Sequence, residues 1–413
     1  MAVTVDATYN HSLIKNTYEY RGGILANNNK IYAIPTGYST NQLIYIDPTD
    51  DSIHIFGVVE DNRYDDYSKA VLGGDGKIYC IPYDATSILA IDPATNTTSS
   101  FGSNLAFDYY GKWNSGVLAT NGKIYSVPFG ANTILCIDPT TSTASEIGNL
   151  GEASGKWGDA VLAPNGKIYG IPNISTTVLC IDPTNDSYTT FGNYEEYVEK
   201  WDTGILAPNG KIYGLPRNAT SILCIDPETN TSTTFGTVIL EEYENKWTSW
   251  VLGPNEKIYG IPADSTSILC VDTINHTVTE FGNVGGAYTY DKWSGGVLAP
   301  DGVIYGIPYN EGSVLCIDTA TDTATTIGAV MEDTGAKWVD GVYVDGKIYG
   351  IPSTSEGLLI ISGLPSDPSG EPAFIIYVKV DDNYITADNV YVKANDVYTN
   401  INDIYIKTNN VWV

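Results

Sequence analysis

Histidine is scarce in this chain: only His11, His54 and His276 occur, and none stands at the spacing of a metal-ligating pair. GxSxG, HExxH and phosphate-cradling glycine motifs are missing as well, so no catalytic residue, metal or cofactor is expected. Basic residues are few, 21 Lys and Arg against 49 Asp and Glu, for a formal net charge of −28. A field of that sign repels nucleic acid and anionic membrane surfaces, and neither is expected as a partner. No apolar run reaches the roughly 18–20 residues that span a bilayer. The start, MAVTVDATYN, has no secretory-signal pattern, so membrane insertion is not expected and folding in a cytoplasm is. Helical periodicity is also lacking, because β-branched runs are cut by Gly and Pro, and this excludes helical solenoids.

What the chain does have is turns and apolar residues: 41 Gly, 20 Pro and 43% hydrophobic residues, a mixture that favours many short strands. One phrase recurs eight times. Tyr32, Tyr79, Tyr125, Tyr169, Tyr213, Tyr259, Tyr305 and Tyr349 each follow an isoleucine and precede a proline by three residues, at spacings of 47, 46, 44, 44, 46, 46 and 44. The copy from Trp201 to Gly236 holds four strand signals, at Gly204 to Leu206, Lys211 to Leu215, Ser221 to Ile225 and Thr231 to Phe235. Asn209-Gly210 predicts a tight type I′ hairpin between the first two. Asp226-Pro227, followed by Asn230, predicts a carboxylate-capped turn between the last two. Four antiparallel strands per repeat make a propeller blade, so the fold expected for residues 1–363 is all-β, an eight-bladed β-propeller. The eighth copy lacks a fourth strand, and Val5 to Tyr9 is expected to supply it and close the ring.

Before each first strand stands one aromatic: Tyr20, Tyr67, Trp113, Trp157, Trp201, Trp247, Trp293 and Trp338. One large ring per blade reads as inter-blade packing. The last six follow a lysine, expected to shield acidic loops or stack on rings. Three residues after the aromatic the copies carry Gly or Ala, except Trp250, which is expected to intrude on the central channel as a plug or a stacking platform. The segments joining successive blades vary and are rich in tyrosine, and by strand parity they share one face with the segments after each Ile-Pro. That face is the expected binding surface, with candidates Tyr64, Tyr109, Tyr110, Tyr194, Tyr197, Tyr243, Trp250, Tyr288 and Tyr290. Cys136, Cys180, Cys224, Cys270 and Cys316 share one repeat position. Equivalent points on packed sheets lie about 10 Å apart, beyond the roughly 7 Å a disulfide can bridge, so these are expected to be free thiols.

The phrases DGxIYGIP and IDxxTxTxTxxG, and VDTINHTVTEFG at Val271 to Gly282 above all, resemble the repeats of virginiamycin B lyase-like and kelch-like propellers. The resemblance implies the blade fold. The lyase's catalytic histidine and metal-binding acids have no counterpart here, so its activity is not implied.

After a linker at 364–373 the period changes. Two-residue Asp/Asn turns fall every seven residues, predicting a small β-meander over 374–413 with Tyr391, Tyr398, Tyr405 and Trp412 as anchoring candidates. The units at Tyr391 to Tyr398 and Tyr405 to Trp412 resemble short repeats of tailed-phage virion and fibre proteins. That resemblance implies a non-enzymatic virion surface or tail-associated protein. Its propeller would meet a host glycan or surface protein, and its tail would bind other virion proteins or itself as a homo-oligomer. An intracellular protein-interaction propeller and a lyase or carbohydrate-active enzyme are the alternatives.

Overall fold

The computed structural model describes residues 3–10, 20–36, 42–59, 66–103, 105, 111–195, 199–238, 246–285, 290–328, 335–355 and 357–366, with short strands beyond 376. Eight four-stranded antiparallel sheets form an eight-bladed propeller, with no helix among the described residues. Nothing described is a helix long and apolar enough to cross a membrane. Each blade opens with a strand at the repeat aromatic, such as Trp201–Leu206 in blade 5, and these first strands lie side by side around the axis.

The second strand of every blade carries the recurrent Ile-Tyr and is buried along its length, as in Ile212–Pro216. The fourth is mostly exposed, as in Thr231–Phe235. This gradient follows from the packing, because the hydrophobic core lies between blades rather than inside them. Val161, Tyr169, Ile171 and Val178 of blade 4, for example, meet Trp201, Ile212 and Leu223 of blade 5.

The ring closes as the sequence predicts. The N-terminal strand, Thr4–Asn10, pairs antiparallel with Gly357–Ser362 of blade 8 and so becomes that blade's fourth strand. Blade 8 then packs on blade 1 through Tyr349, Ile351 and Leu358 against Tyr20, Ile31 and Ile44. The first hairpin departs from expectation. At Ala207 to Lys211 only Gly210 has positive φ, 75°, and its N–H donates to the Ala207 carbonyl at 3.0 Å. A type I′ turn needs positive φ at both central residues. Here Pro208, locked at negative φ, starts a type I turn that a left-handed glycine ends. The Asp226 turn forms as expected, its carboxylate accepting from Glu228 N at 3.0 Å, with Asn230 left-handed at φ 50°.

All six cysteines are free, and burial pushes the Cys80 thiol up to about 12. The lysines before the aromatics are not surface shields. Lys112, Lys156, Lys200, Lys246, Lys292 and Lys337 are all buried. Lys200 Nζ donates to the carbonyls of Glu195 at 2.7 Å and Ile174 at 3.1 Å, and Lys246 lies over the ring of Trp247. Desolvation pulls Lys156 and Lys200 down to about 8.

Trp250 also departs from expectation. In every blade the register shifts just after the aromatic. This bulge turns the residue three positions on away from the axis and toward the preceding blade. A Cβ on Gly204 would lie 2.6 Å from Ile171 Cδ1, and one on Gly296 would lie 2.7 Å from Ile261 Cγ1. Trp250 therefore wedges into the seam between blades 5 and 6. It packs on Gly260 of its own strand pair and against a cluster that includes Leu215, where most other blades bring isoleucine or valine. The inner strands of these two blades approach less closely than any other neighbouring pair.

The tail strands form three separate two-stranded ladders: Tyr377–Val380 with Asn383–Thr386, Tyr391–Ala394 with Val397–Asn400, and Lys407–Thr408 with Val411–Trp412. The expected single meander is seen only as these hairpins, with no ladder joining one to the next among the described residues.

Trp250→Gly, which restores the repeat, should destabilise the ring by about 3 kcal/mol through the void left beside Leu215. Adding Leu215→Ile should recover part of that loss. A double-mutant cycle in urea with no coupling between the two sites would refute the wedge.

Candidate functional site

The first-strand aromatic pairs with the proline that ends the second strand, as in Trp113↔Pro128. The joining segments and the segments after Ile-Pro therefore stand on one face, as the sequence reading expects. Backbone bonds fasten the two sets together: Lys112 N donates to Tyr83 O at 2.8 Å, and Phe129 N to Lys112 O at 2.9 Å.

At the centre of this face opens a cavity of about 650 Å³, lined in part by Arg21, Ser68, Lys69, Asn114, Thr248 and Ser294. All are one or two residues past the repeat aromatic, where the bulge turns side chains to the axis. Several also lace neighbouring blades together. Ser68 Oγ donates to Trp113 O at 3.0 Å, Thr248 Oγ1 to Trp293 O at 3.0 Å, and Ser294 Oγ to Val339 O at 2.9 Å.

The second position past the aromatic reads Gly22, Lys69, Ser115, Asp159, Thr203, Ser249, Gly295 and Asp340 around the ring. Lys69 of blade 2 reaches past blade 3 to donate to Asp159 Oδ1 of blade 4 at 3.0 Å. Ser115 Oγ donates to the same oxygen at 2.5 Å, and Gly204 N of blade 5 to Oδ2 at 3.2 Å. One carboxylate thus ties four blades. Asp340 stands four blades from Asp159, directly across the axis, and takes the N–H of Gly341 at 2.8 Å and that of Gly23. Asp202 accepts from Asn173 Nδ2 at 3.0 Å and lies 3.7 Å from the Arg217 guanidinium.

Burial works against the Lys69 ammonium, but Asp159, with Asp202 and Asp340 farther off, outweighs it and holds its pKa above the ordinary lysine value. Burial pushes Asp340 up to about 6, against its backbone donors and Lys69. Burial also raises Asp202, with Arg217 opposing. A protonated, paired lysine is no nucleophile. The arrangement is suited to holding a polar ligand by hydrogen bonds and charge.

Of the sequence candidates, Tyr64, Tyr109, Tyr110, Tyr197, Tyr243 and Tyr288 lie outside the described residues, as does Tyr405. Tyr194 is half-buried, edge-on to Trp201 at 5.0 Å with its hydroxyl on Ser232 Oγ, so it packs the face together. Tyr290 is 54% exposed on the face. Tyr391, Tyr398 and Trp412 sit in the tail hairpins. Trp250 belongs to the blade 5–6 seam. The axial residues were not among the sequence candidates, although the signal was present: this is the inner-strand position where Lys and Asp interrupt small and hydroxyl residues.

Among the described residues, the ligand atoms of Asp47, Asp50 and His54, on the outer turn of blade 1, lie within 4.8 Å of one another and could hold a metal. Lys30 already supplies a cation there, 3.3 Å from Asp47.

The sequence profile of a repeat of unknown function, DUF6923, matches residues 23–192. No curated protein matches the chain in sequence. Among solved structures, the computationally designed Ika8 protein is similar with a TM-score of 0.61 at 9% identity, over 86% of this chain and 99% of that one. Virginiamycin B lyase from Staphylococcus aureus gives 0.55 at 10% identity, over 87% and 99%. The periplasmic gluconolactonase of Pseudomonas aeruginosa gives 0.52 at 11% identity, over 73% and 94%. Identities this low show a shared fold alone.

Lys69→Met should leave Asp159 short of its cation. With half of the Lys69 side-chain surface exposed, the cost is about 1–2 kcal/mol rather than the larger figure for a fully buried pair. Asp340 titrates near 6 when folded, against about 3.9 unfolded. The folded state thus binds more protons between these values, and stability falls as pH rises through that window. Asp340→Asn should therefore gain stability over wild type at pH 7.5 and lose that advantage at pH 4. Melting curves at the two pH values check the sign, and an advantage that grows on acidification would refute it.

Proposed function

We propose that this chain is a non-enzymatic virion surface protein whose propeller presents its joining-loop face to a host glycan or surface protein. The tail, 374–413, attaches it to the particle or to a second copy. The observation that carries the binding reading is the axial cavity. It opens at the centre of that face, and its lining includes Arg21 and Lys69, charged side chains at inner-strand positions where most other blades carry small or hydroxyl residues. A closed ring of eight blades supplies a rigid frame, and variation confined to one face of such a frame is how propellers acquire ligands. The tail's likeness to virion fibre repeats supports the particle as its location, and the acidic surface is in keeping with an exposed, soluble display domain.

The test uses purified full-length protein on an array of host-type glycans and on host cells. Wild type is expected to bind. Asn114→Trp, which fills the cavity mouth, should weaken binding by about tenfold or more while the melting temperature holds, a loss on the scale of a few lost polar contacts. Binding unchanged in this variant would remove the cavity from the reading. Removing residues 374–413 should give a folded propeller absent from particles in immunogold images. Normal incorporation without the tail would refute the anchoring role.

A further inference from the structure

At one place on the loop face the repeat is broken by a buried charge. The backbone N–H three residues past the proline that ends the second strand donates to the carbonyl of the residue before that blade's own aromatic, as Ala85 N does to Asp66 O and Ala131 N to Lys112 O. By this bond Ala85, Ala131 and Ala219 are equivalent, and so are Ser175, Ser265 and Ser355. Blade 7 alone among these puts a large acid there, Glu311, whose N–H makes the same bond to Lys292 O at 3.1 Å.

Glu311 is 8% exposed, and its Oε1 is buried with no hydrogen-bond donor among the described residues. Burial lowers the Lys292 pKa, with Asp264 first and Glu311 second opposing it, and no ion pair joins Lys292 to Glu311 among the described residues. A buried carboxylate oxygen without a donor is destabilising where alanine would be neutral. Six other blades show that the fold does not need it.

The side chain faces a cavity of about 230 Å³ beneath the segment joining blades 6 and 7, lined by Asn283, Trp293, Glu311, Ser313, Thr325 and Thr326 among others. Asn283, Thr325 and Thr326 are exposed and form its mouth, while Trp293 and Glu311 are its buried floor.

We infer that this cavity is a binding site for a single polyhydroxylated ring, one sugar residue of a glycan; the inference rests on the glycan reading above and names the subsite. The orphan oxygen can only accept, so its ligand must donate. The amide and the three hydroxyls around it both donate and accept, as the hydroxyls of a sugar do. An ammonium ligand fits less well, because Lys292 already places a cation near Glu311. The space admits one ring, and the mouth leaves the rest of a chain outside.

Full-length protein is titrated with D-glucose, D-galactose and N-acetyl-D-glucosamine, and with ethylammonium as the cationic contrast, by saturation-transfer NMR and calorimetry. At least one sugar is expected to bind. Glu311→Ala, which restores the residue of blades 2, 3 and 5, should weaken that sugar by about 10- to 100-fold, the worth of a charge-assisted hydrogen bond. It should leave the melting temperature equal or higher, which a structural acid would not do. Glu311→Gln should bind with intermediate strength. Binding of ethylammonium in preference to sugars overturns the inference, as do no sugar bound at all, unchanged sugar binding in Glu311→Ala, and a lowered melting temperature in that variant. If the sugars fail but host glycans or cells still bind through the axial cavity, the subsite falls and the proposed function stands. If neither binds, both fall.

Discussion

The bond on which the ring chiefly depends runs from a repeat tyrosine to the turn of the next blade. Six of the eight tyrosines make it, while Tyr79 and Tyr305 donate to Asp75 and Asp301 of their own hairpins. Tyr169 of blade 4 donates to Asn230 of blade 5 at 2.7 Å, and Tyr259 of blade 6 to Asp322 of blade 7 at 2.6 Å. The acceptors sit at left-handed φ, 50° and 51°, in the Asp-capped turn between third and fourth strands. A hydroxyl inside a core must find a partner, and this one finds it across the blade boundary. The hairpin asparagine holds the arrangement from the other side: Asn165 Nδ2 donates both to Tyr169 Oη at 3.0 Å and to Pro227 O at 2.8 Å. At the seam where the chain's ends meet, Tyr349 of blade 8 donates to Asp51 of blade 1 at 2.5 Å, with Lys347 on the same carboxylate at 2.7 Å. The covalent break in the ring is thus bridged by the bond used elsewhere, and the N-terminal strand adds a ladder to it.

These clamps all lie at the end of the blades where the short hairpins and Asp-capped turns are, which is why those turns are nearly uniform. The opposite end is held differently. There buried lysines reach backbone carbonyls and the aromatics donate indole N–H groups to carbonyls twenty residues on, as Trp201 does to Ser221 O at 2.8 Å. Contacts to backbone carbonyls constrain few side chains, so the joining segments on that face are free to differ. Uniform and variable ends are two consequences of where the side-chain clamps sit.

The repeat, the blade, the strand that closes the ring and the free thiols are legible in the sequence because each follows from periodicity and steric reach. The axial belt is not, and the reason is the bulge. Simple alternation from the aromatic puts the third residue on the axis and makes Trp250 a channel plug. The register shift after the aromatic instead turns the first and second residues inward, so Arg21, Lys69, Asp159 and Asp340 meet there while Trp250 goes to the seam. A one-residue slip reverses every facing assignment downstream of it. The hairpin misassignment has the same character: the turn starts one residue earlier than the Asn-Gly pair suggests, at Pro208 in blade 5 and at Thr120 in blade 3, so that the glycine alone of the pair is left-handed. The burial of the lysines was hidden for another reason: Lys156 and Lys200 donate to backbone carbonyls, which every residue has.

Strain and cost are distributed in a way that bears on function. In a repeat array each copy reports what the fold tolerates at a position, so a departure can be weighed against its siblings. Trp250 departs with compensation, Leu215 and a widened seam, and reads as structural. Asp159 departs with three hydrogen-bond donors, Lys69, Ser115 and Gly204, and so ties four blades. Among the described residues, Asp340 has backbone donors and only the distant charge of Lys69, and Glu311 has an oxygen without a donor. These last two are the uncompensated departures, and both lie toward the joining-loop face, one on the axis and one beneath a joining segment. Selection for stability alone would favour the small or neutral residues most of their siblings carry, and this is the physical support for the binding role proposed for this face.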